Sequence, residues 1–495
     1  MSFSRKALHS TKKVLEMPLR AKILQPELAP ISAVKNMSTA GELEPEVKFY
    51  SNGGLRTVLL NRPKKLNALN QNMCQLITPR MQEWLKSDLA TVILLKGAGD
   101  RALCAGGDVA AISNAILERG DEGSQSSIEY FKDEYELDHF IAAYPKPYVS
   151  FLNGITMGGG VGLSLNGSFR VATEKTVVAM PETNIGFFPD VGATFFLSRL
   201  DGQLGVFLGL TSHRITGRDV VYAGLATHYV PSHRLEKVEE RLVEISNAGL
   251  GSDVDRNNNL YELINEALED FSEEPEKGYV YELSGEKRVL IDECFKFDTV
   301  EEILHALEAN GSEFALKTKE TMLARSPTSL KVTLASIRRG KSLDITTAFQ
   351  KEYEMAENFV FAPSRDFAEG VNALLITKPS RKAEWNPSTV GDVTDEIVNR
   401  HLVRRPGSNA PAIDFHVEAD YHEYPHRFGF PTEKEIQDYV IGNNTSREFK
   451  VTRKEVFDHF SRVSPKSGLG TKITEVLARK TKPDANDNNL IDWEY

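Results

Sequence analysis

The sequence predicts an α/β fold with a mainly parallel sheet, helical toward its C-terminus. Three observations carry this. Between residues 47 and 180 short β-type runs alternate with helical segments, the pattern of strands joined by right-handed crossovers. Past Gly217 the apolar spacing turns to a 3.6 period throughout. At 495 residues and 41% hydrophobic content, the chain can build one large domain plus an appendage.

In chain order, strands are expected at 57–60, 91–96, 148–152 and 176–180, each a short run rich in Val, Ile, Leu and Thr. Helices are expected over 71–86, after Asp108 and after Gly158. Further helices are expected over 235–245, 260–271, 300–308 and 329–335. The stretch 404–411, with Pro406, Gly407, Ser408 and Pro411, reads as a linker. Beyond it lies a segment bearing His416, Tyr421, His422, Tyr424, His426, Phe428 and Phe430. Pro431-Thr432-Glu433-Lys434-Glu435 then opens a helix, and Thr452 with Glu455 three residues on marks another N-terminus. The expected organisation is 1–40 as a targeting segment, 47–385 as the main domain and 404–495 as an extension separable from it.

Charge and composition exclude several classes. A net charge of −11 argues against a general polyanion-binding surface. From Arg447 to Lys482, however, ten Lys/Arg stand against four acids, so a basic stretch rides on an acidic chain. Cys74, Cys104 and Cys294 are widely spaced and odd in number, which fits neither a disulfide framework nor a zinc site. The uncharged run from Pro147 to Phe169 is long enough for a membrane span but holds six glycines, and reads as a buried strand, turn and helix. Residues 1–40 carry seven Lys/Arg against Glu16 and Glu27, the bias of a mitochondrial transit peptide.

The chemistry is concentrated between Gly154 and Gly192. Gly158-Gly159-Gly160-Val161-Gly162 opens an apolar helical segment, where bare N–H groups and the helix dipole suit an oxyanion. A second glycine turn, Cys104-Ala105-Gly106-Gly107-Asp108, can supply another donor. Glu182 in Met-Pro-Glu-Thr and Asp190 in Phe-Pro-Asp-Val-Gly then offer a base, acid or nucleophile. No Gly-x-Gly-x-x-Gly register and no Gly-Lys-Ser/Thr follows, so dinucleotide and P-loop sites are not indicated. Cys104 precedes the glycine turn without a neighbouring His and reads as packing. The histidines between His401 and His426 have no metal-site spacing and read as aromatic packing or partner contacts.

Asn61-Arg62-Pro63 with Leu66-Asn67-Ala68-Leu69, the Cys104–Asp108 turn and Asn153-Gly154-Ile155-Thr156-Met157-Gly158-Gly159-Gly160 resemble the crotonase (enoyl-CoA hydratase/isomerase) superfamily. Met180-Pro181-Glu182-Thr183 and Gly186-Phe187-Phe188-Pro189-Asp190-Val191-Gly192 resemble its 3-hydroxyisobutyryl-CoA hydrolase family in particular. The resemblance implies a ββα spiral core and a thioester oxygen held by the N–H of Gly159 and by one from the Ala105–Gly107 turn, Ala105 or Gly106. It implies catalytic roles for Glu182 and Asp190, with Glu134 contacting substrate beside Gly159. Hydratases carry a second glutamate where this chain has Gly162, so hydration of a C=C bond is not expected. Implied are hydrolysis of a 3-hydroxyacyl-CoA, a mitochondrial matrix location, and no cofactor or metal beyond the coenzyme A of the substrate. The extension resembles that of fungal members associated with the small subunit of the mitochondrial ribosome. A structural or dual-role protein there is the alternative; an isomerase using Glu182 alone is a weaker one. Homo-oligomerisation is left open.

Overall fold

A computed structural model describes residues 44–248, 254–425, 427–443, 447 and 449–494. The expected targeting segment 1–40 and His426 lie outside the described residues.

The core is a spiral in which successive strands alternate between two sheets. β1 (Val47–Asn52) and β2 (Leu55–Leu60) form a hairpin whose Gly53-Gly54 turn needs φ +55° at Gly53. The sequence placed its first strand at 57–60. The partner β1 escaped notice because it is an edge strand exposed over its last three residues, which leaves little apolar alternation. After α1 (Gln71–Leu85), β3 (Val92–Gly97) joins the large sheet and β4 (Ala102–Cys104) a smaller one. The helices α2 (Val109–Arg119) and α3 (Asp121–Ala142) lead back to β5 (Tyr148–Leu152) in the large sheet and β6 (Ile155–Met157) in the small. α4 (Gly159–Leu165) repeats the crossover to β7 (Phe169–Ala172) and β8 (Val177–Ala179). With β9 (Ile215–Thr216) and β10 (His228–Tyr229), the sheets run β1-β2-β3-β5-β7-β10 and β4-β6-β8-β9. The turn between β5 and β6 requires Gly154: it sits at φ +106°, and a β-carbon there would lie 2.5 Å from the Arg101 carbonyl.

Both faces of the large sheet are covered, which explains strands that read as continuous apolar runs. Leu55, Val92, Leu94, Val149, Phe169 and Val171 pack under the helices Leu235–Ala248 and Val254–Phe271. Val58, Ile93 and Leu95 face the main core with α1, α3 and α4. Each large side chain so buried contributes about 1.5–3 kcal/mol. The helices expected over 300–308 and 329–335 are present as Val300–Asn310 and Pro327–Gly340.

The extension is not set apart from the core. Residues 45–495 form one compact unit, and the stretch after the expected linker lies along the domain as a strap. The Asp414 N–H donates to Glu136 of α3, Phe415 packs on His139 at 4.1 Å, and the Tyr421 and Tyr424 rings pack on Phe195. Phe428 stacks on Phe169 of β7 at 4.5 Å. The last three helices, Glu433–Ile441, Arg453–Val463 and Leu469–Lys480, have a small core of their own. Thr432 and Thr452 close the first two with capping boxes, the second as the sequence indicates. Charged groups tie this module to the domain: Lys472 pairs with Asp201 at 2.7 Å, Arg288 with Glu433 at 3.0 Å and Lys466 with Glu269 at 2.7 Å. Of the ten basic residues between 447 and 482, at least seven make ion pairs among the described residues. The basic stretch is largely neutralised from inside.

Candidate active site

The two glycine turns found in the sequence face each other. A β-carbon on Gly159 would lie 3.4 Å from the amide nitrogen of Gly107, and one on Gly158 would lie 3.5 Å from Cα of Gly106. Gly159 is the first residue of α4, so its N–H has no partner within the helix. Among the described residues neither it nor the Gly107 N–H donates a hydrogen bond. Two free donors thus converge on one small space. The Ala105 N–H, one of the expected donors, is already bonded to the Leu66 carbonyl at 3.0 Å. That takes Ala105 out of the set; the N–H of Gly106, the other expected donor, likewise has no acceptor among the described residues, but it is the Gly107 nitrogen that lies beside Gly159.

Carboxyl groups surround this space. Glu182 follows β8 on a one-turn 3₁₀ helix, and its Oε1 would lie 3.1 Å from a β-carbon on Gly158. Its Oε2 is buried without a hydrogen-bond partner. Glu134, on α3, reaches the other side: a side chain at 159 would fall on its Oε1. It is 2% exposed, so the solvated helix face that its acidic neighbours suggest is not where it lies. Asp190 accepts a hydrogen bond from the Tyr135 hydroxyl at 2.6 Å. Thus Gly159, Glu134, Glu182 and Asp190 are brought together as the sequence motifs imply.

Three further residues belong to the site, and no local sequence motif marks them. Tyr135 holds Asp190 and lies beside Glu134 in sequence, the one signal that could have found it. Asp138 sits one helical turn beyond Glu134, fully buried, with neither oxygen hydrogen-bonded. A β-carbon on Gly162 would lie 2.7 Å from Asp138 Cγ and 2.7 Å from Val191 Cβ. The glycine at 162 is therefore required by Asp138, whose carboxyl fills the space any side chain at 162 would use. Glu352 bonds the N–H groups of Gly192 at 2.6 Å and Thr194 at 2.7 Å. Its signal is an acid inside the apolar stripe Ala348, Phe349, Tyr353 and Ala356 of the helix Ile345–Val360.

Five buried carboxyls without a buried cation among them resist ionisation. Burial pushes Asp190 up to about 7, against the pull of the Tyr135 hydroxyl toward the charged form. Burial raises Glu182 well above the carboxylate range, and the nearby Asp190 adds to it. The same two causes, in the same order, act on Glu134, while Asp138 is raised by burial and then by Glu134 and Asp190. Glu352 is pushed up to about 8 by burial, opposed by its two N–H donors. Asp190 and Glu352, held at about 7 and about 8, can exchange protons near physiological pH. Cys104 is fully buried with its thiol pushed up to about 12 by burial, which suits a packing residue. Of the histidines, His401 packs on Phe359 and His416 on Phe140.

Free N–H donors at the head of a spiral-core helix, faced by buried acids, have the chemistry that an acyl-transfer or enolate-forming site requires. Comparison with known proteins agrees. The sequence profile described as enoyl-CoA hydratase/isomerase matches residues 55–402, and the chain belongs to that family. A solved carnitinyl-CoA dehydratase from Mycobacterium thermoresistibile is similar, with TM-score 0.66 and 34% identity over 76% of this chain and 100% of that one. Within the family the chain falls among the 3-hydroxyisobutyryl-CoA hydrolases. The mitochondrial 3-hydroxyisobutyryl-CoA hydrolase of Danio rerio is 44% identical over 72% of this chain and 88% of its own length. That of Homo sapiens is 41% identical over 74% and 90%. The small ribosomal subunit protein mS47 of Neurospora crassa is 43% identical over 94% of this chain and 91% of its own, so its likeness reaches into the extension.

Proposed function

We propose that this chain hydrolyses a 3-hydroxyacyl-CoA thioester in the mitochondrion, with 3-hydroxyisobutyryl-CoA as substrate. The observation that carries this is the unpartnered Oε2 of buried Glu182 beside two free N–H donors, with no acid rooted at position 162. The thioester oxygen sits between the N–H groups of Gly159 and Gly107. Each such donor contributes on the order of 3 kcal/mol once negative charge develops on the oxygen.

Glu182 in its ionised form then attacks the carbonyl, or takes a proton from the water that does. In either course the C–S bond breaks, the sulfur leaves with a proton, and one water is consumed per thioester. Ionised Asp190, oriented by Tyr135, accepts a hydrogen bond from the substrate hydroxyl or the water and passes the proton on. Hydratases root their second acid where this chain has Gly162; the carboxyl nearest that glycine is Asp138, rooted on α3 rather than α4, so an assay has to separate hydrolysis from hydration. Thiol release from 3-hydroxyisobutyryl-CoA, measured beside hydration of crotonyl-CoA, tests the proposal. Rapid thiol release without hydration supports it, and hydration without thiol release overturns it.

The full-length likeness to mS47 supports a second role in the same protein, as a component of the mitochondrial small ribosomal subunit. Retained Glu182 and Asp190 are consistent with both roles. Co-sedimentation with that subunit in a sucrose gradient tests it; absence from the subunit fractions contradicts it.

A further inference from the structure

Asp190 reaches the site on a turn that its own sequence disfavours. Val191 has φ +55°, a left-handed conformation that a β-branched residue rarely adopts, and Gly192 follows at +91°. Two side chains from distant parts of the chain hold this turn. Asn166, just past α4, donates Nδ2 to the Val191 carbonyl at 3.1 Å and to the Gly162 carbonyl at 2.9 Å. Fully buried Glu352 takes the N–H groups of Gly192 and Thr194, the first donors of the short helix Ala193–Leu197. Capping that helix would need a carboxylate somewhere near its N-terminus. Here the Glu352 carboxyl closes a strained turn that begins one residue after Asp190, while Tyr135 fixes the Asp190 carboxyl itself.

We infer that Glu352 is a positioning residue of the reaction: by binding the Gly192 and Thr194 N–H groups it locks the left-handed turn at Val191 and sets the direction in which Asp190 faces Glu182 and the glycine turns. This rests on the role proposed for Asp190.

Glu352→Gln keeps the shape but turns one accepting oxygen into a donor against a backbone N–H. Thiol release should then lose roughly 10²-fold in kcat with KM changed less than threefold, since misplacement of a reacting group acts on turnover. Glycine adopts the left-handed region freely. Adding Val191→Gly should therefore restore kcat by at least about fivefold over Glu352→Gln, even though loss of the buried valine lowers Tm. A role confined to core stability makes the double variant both less stable and less active. Near wild-type kcat in Glu352→Gln, or no recovery in the double variant, overturns the inference. Should Glu352→Gln fail to fold, Asn166→Ala, which releases the Val191 carbonyl, is read by the same rescue. Full activity of Asp190→Asn would instead overturn the assigned role of Asp190, so the two failures are told apart.

Discussion

At the scale of the residue, the site is governed by what surrounds each carboxyl rather than by the carboxyls themselves. Asp190 is balanced between burial, which holds it near 7, and the Tyr135 hydroxyl, which favours its ionised form. If the ionised form works, and because Glu182, itself raised well above the carboxylate range, must also ionise, kcat/KM should climb with pH through about 7 rather than level off below it. Tyr135→Phe removes the stabilising donor, so a pH–rate profile should show this limb moved to higher pH; an unmoved limb would detach Asp190 from it. The same group affects stability with the opposite sign to an ordinary salt-bridged acid. Its folded pKa lies above the unfolded value, so the fold binds the extra proton and loses stability as pH rises from about 4 to about 7. Asp190→Asn cannot ionise. Thermal melts should show it more stable than the parent at pH 8, by roughly a few °C, and closely matched at pH 4. A lower Tm at pH 8 would contradict this.

At the scale of the element, the close packing of α3 on α4 is what glycine makes possible. Gly159 and Gly162 present no side chains to α3, and Glu134 and Asp138, one turn apart, occupy the room they leave. Gly159→Val would place its side chain on the Glu134 carboxyl and disturb the donor N–H. Turnover should be abolished and calorimetric affinity for a non-hydrolysable acyl-CoA reduced together; unchanged affinity with normal turnover would make the glycine a packing device only. This arrangement also shows what the sequence could disclose. The glycine turns, Glu182 and Asp190 stand in contiguous motifs, and the buried strands β3 and β5 are short Val/Ile/Leu-bearing runs, so they were legible. Tyr135, Asp138, Asn166 and Glu352 act across tertiary distances: Glu352 meets Gly192 from 160 residues away. Local periodicity carries no record of such a partner except an acid standing in an apolar stripe. The strap was misjudged for a related reason, because proline, glycine and serine mark an irregular backbone whether it swings free or lies packed.

At the scale of the whole molecule, the extension is built into the domain. Lys472, about nine-tenths buried, reaches from the last helix to Asp201, while Arg479 links Glu433, Glu475 and Asp292. Lys472→Ala removes the closest cation of Asp201, which keeps the Glu433 N–H and the nearby Arg288, so the lost charged hydrogen bond costs about 1.5–3 kcal/mol. Calorimetry should show the main transition itself shifted down, with no separate early melting of residues 431–494; an unshifted main transition would mean that the module melts independently. A partner held by the extension would therefore hold a domain whose catalytic helices are strapped by residues 411–428. The two proposed roles would then share one body. The central claim, that Glu182 drives thioester hydrolysis at the glycine turns, is tested most directly by steady-state thiol release from 3-hydroxyisobutyryl-CoA. The full chain should turn over steadily and Glu182→Gln, folded by circular dichroism, should lose at least about 10²-fold in kcat. Equal rates from the two proteins, or no thiol release from either, would contradict the account.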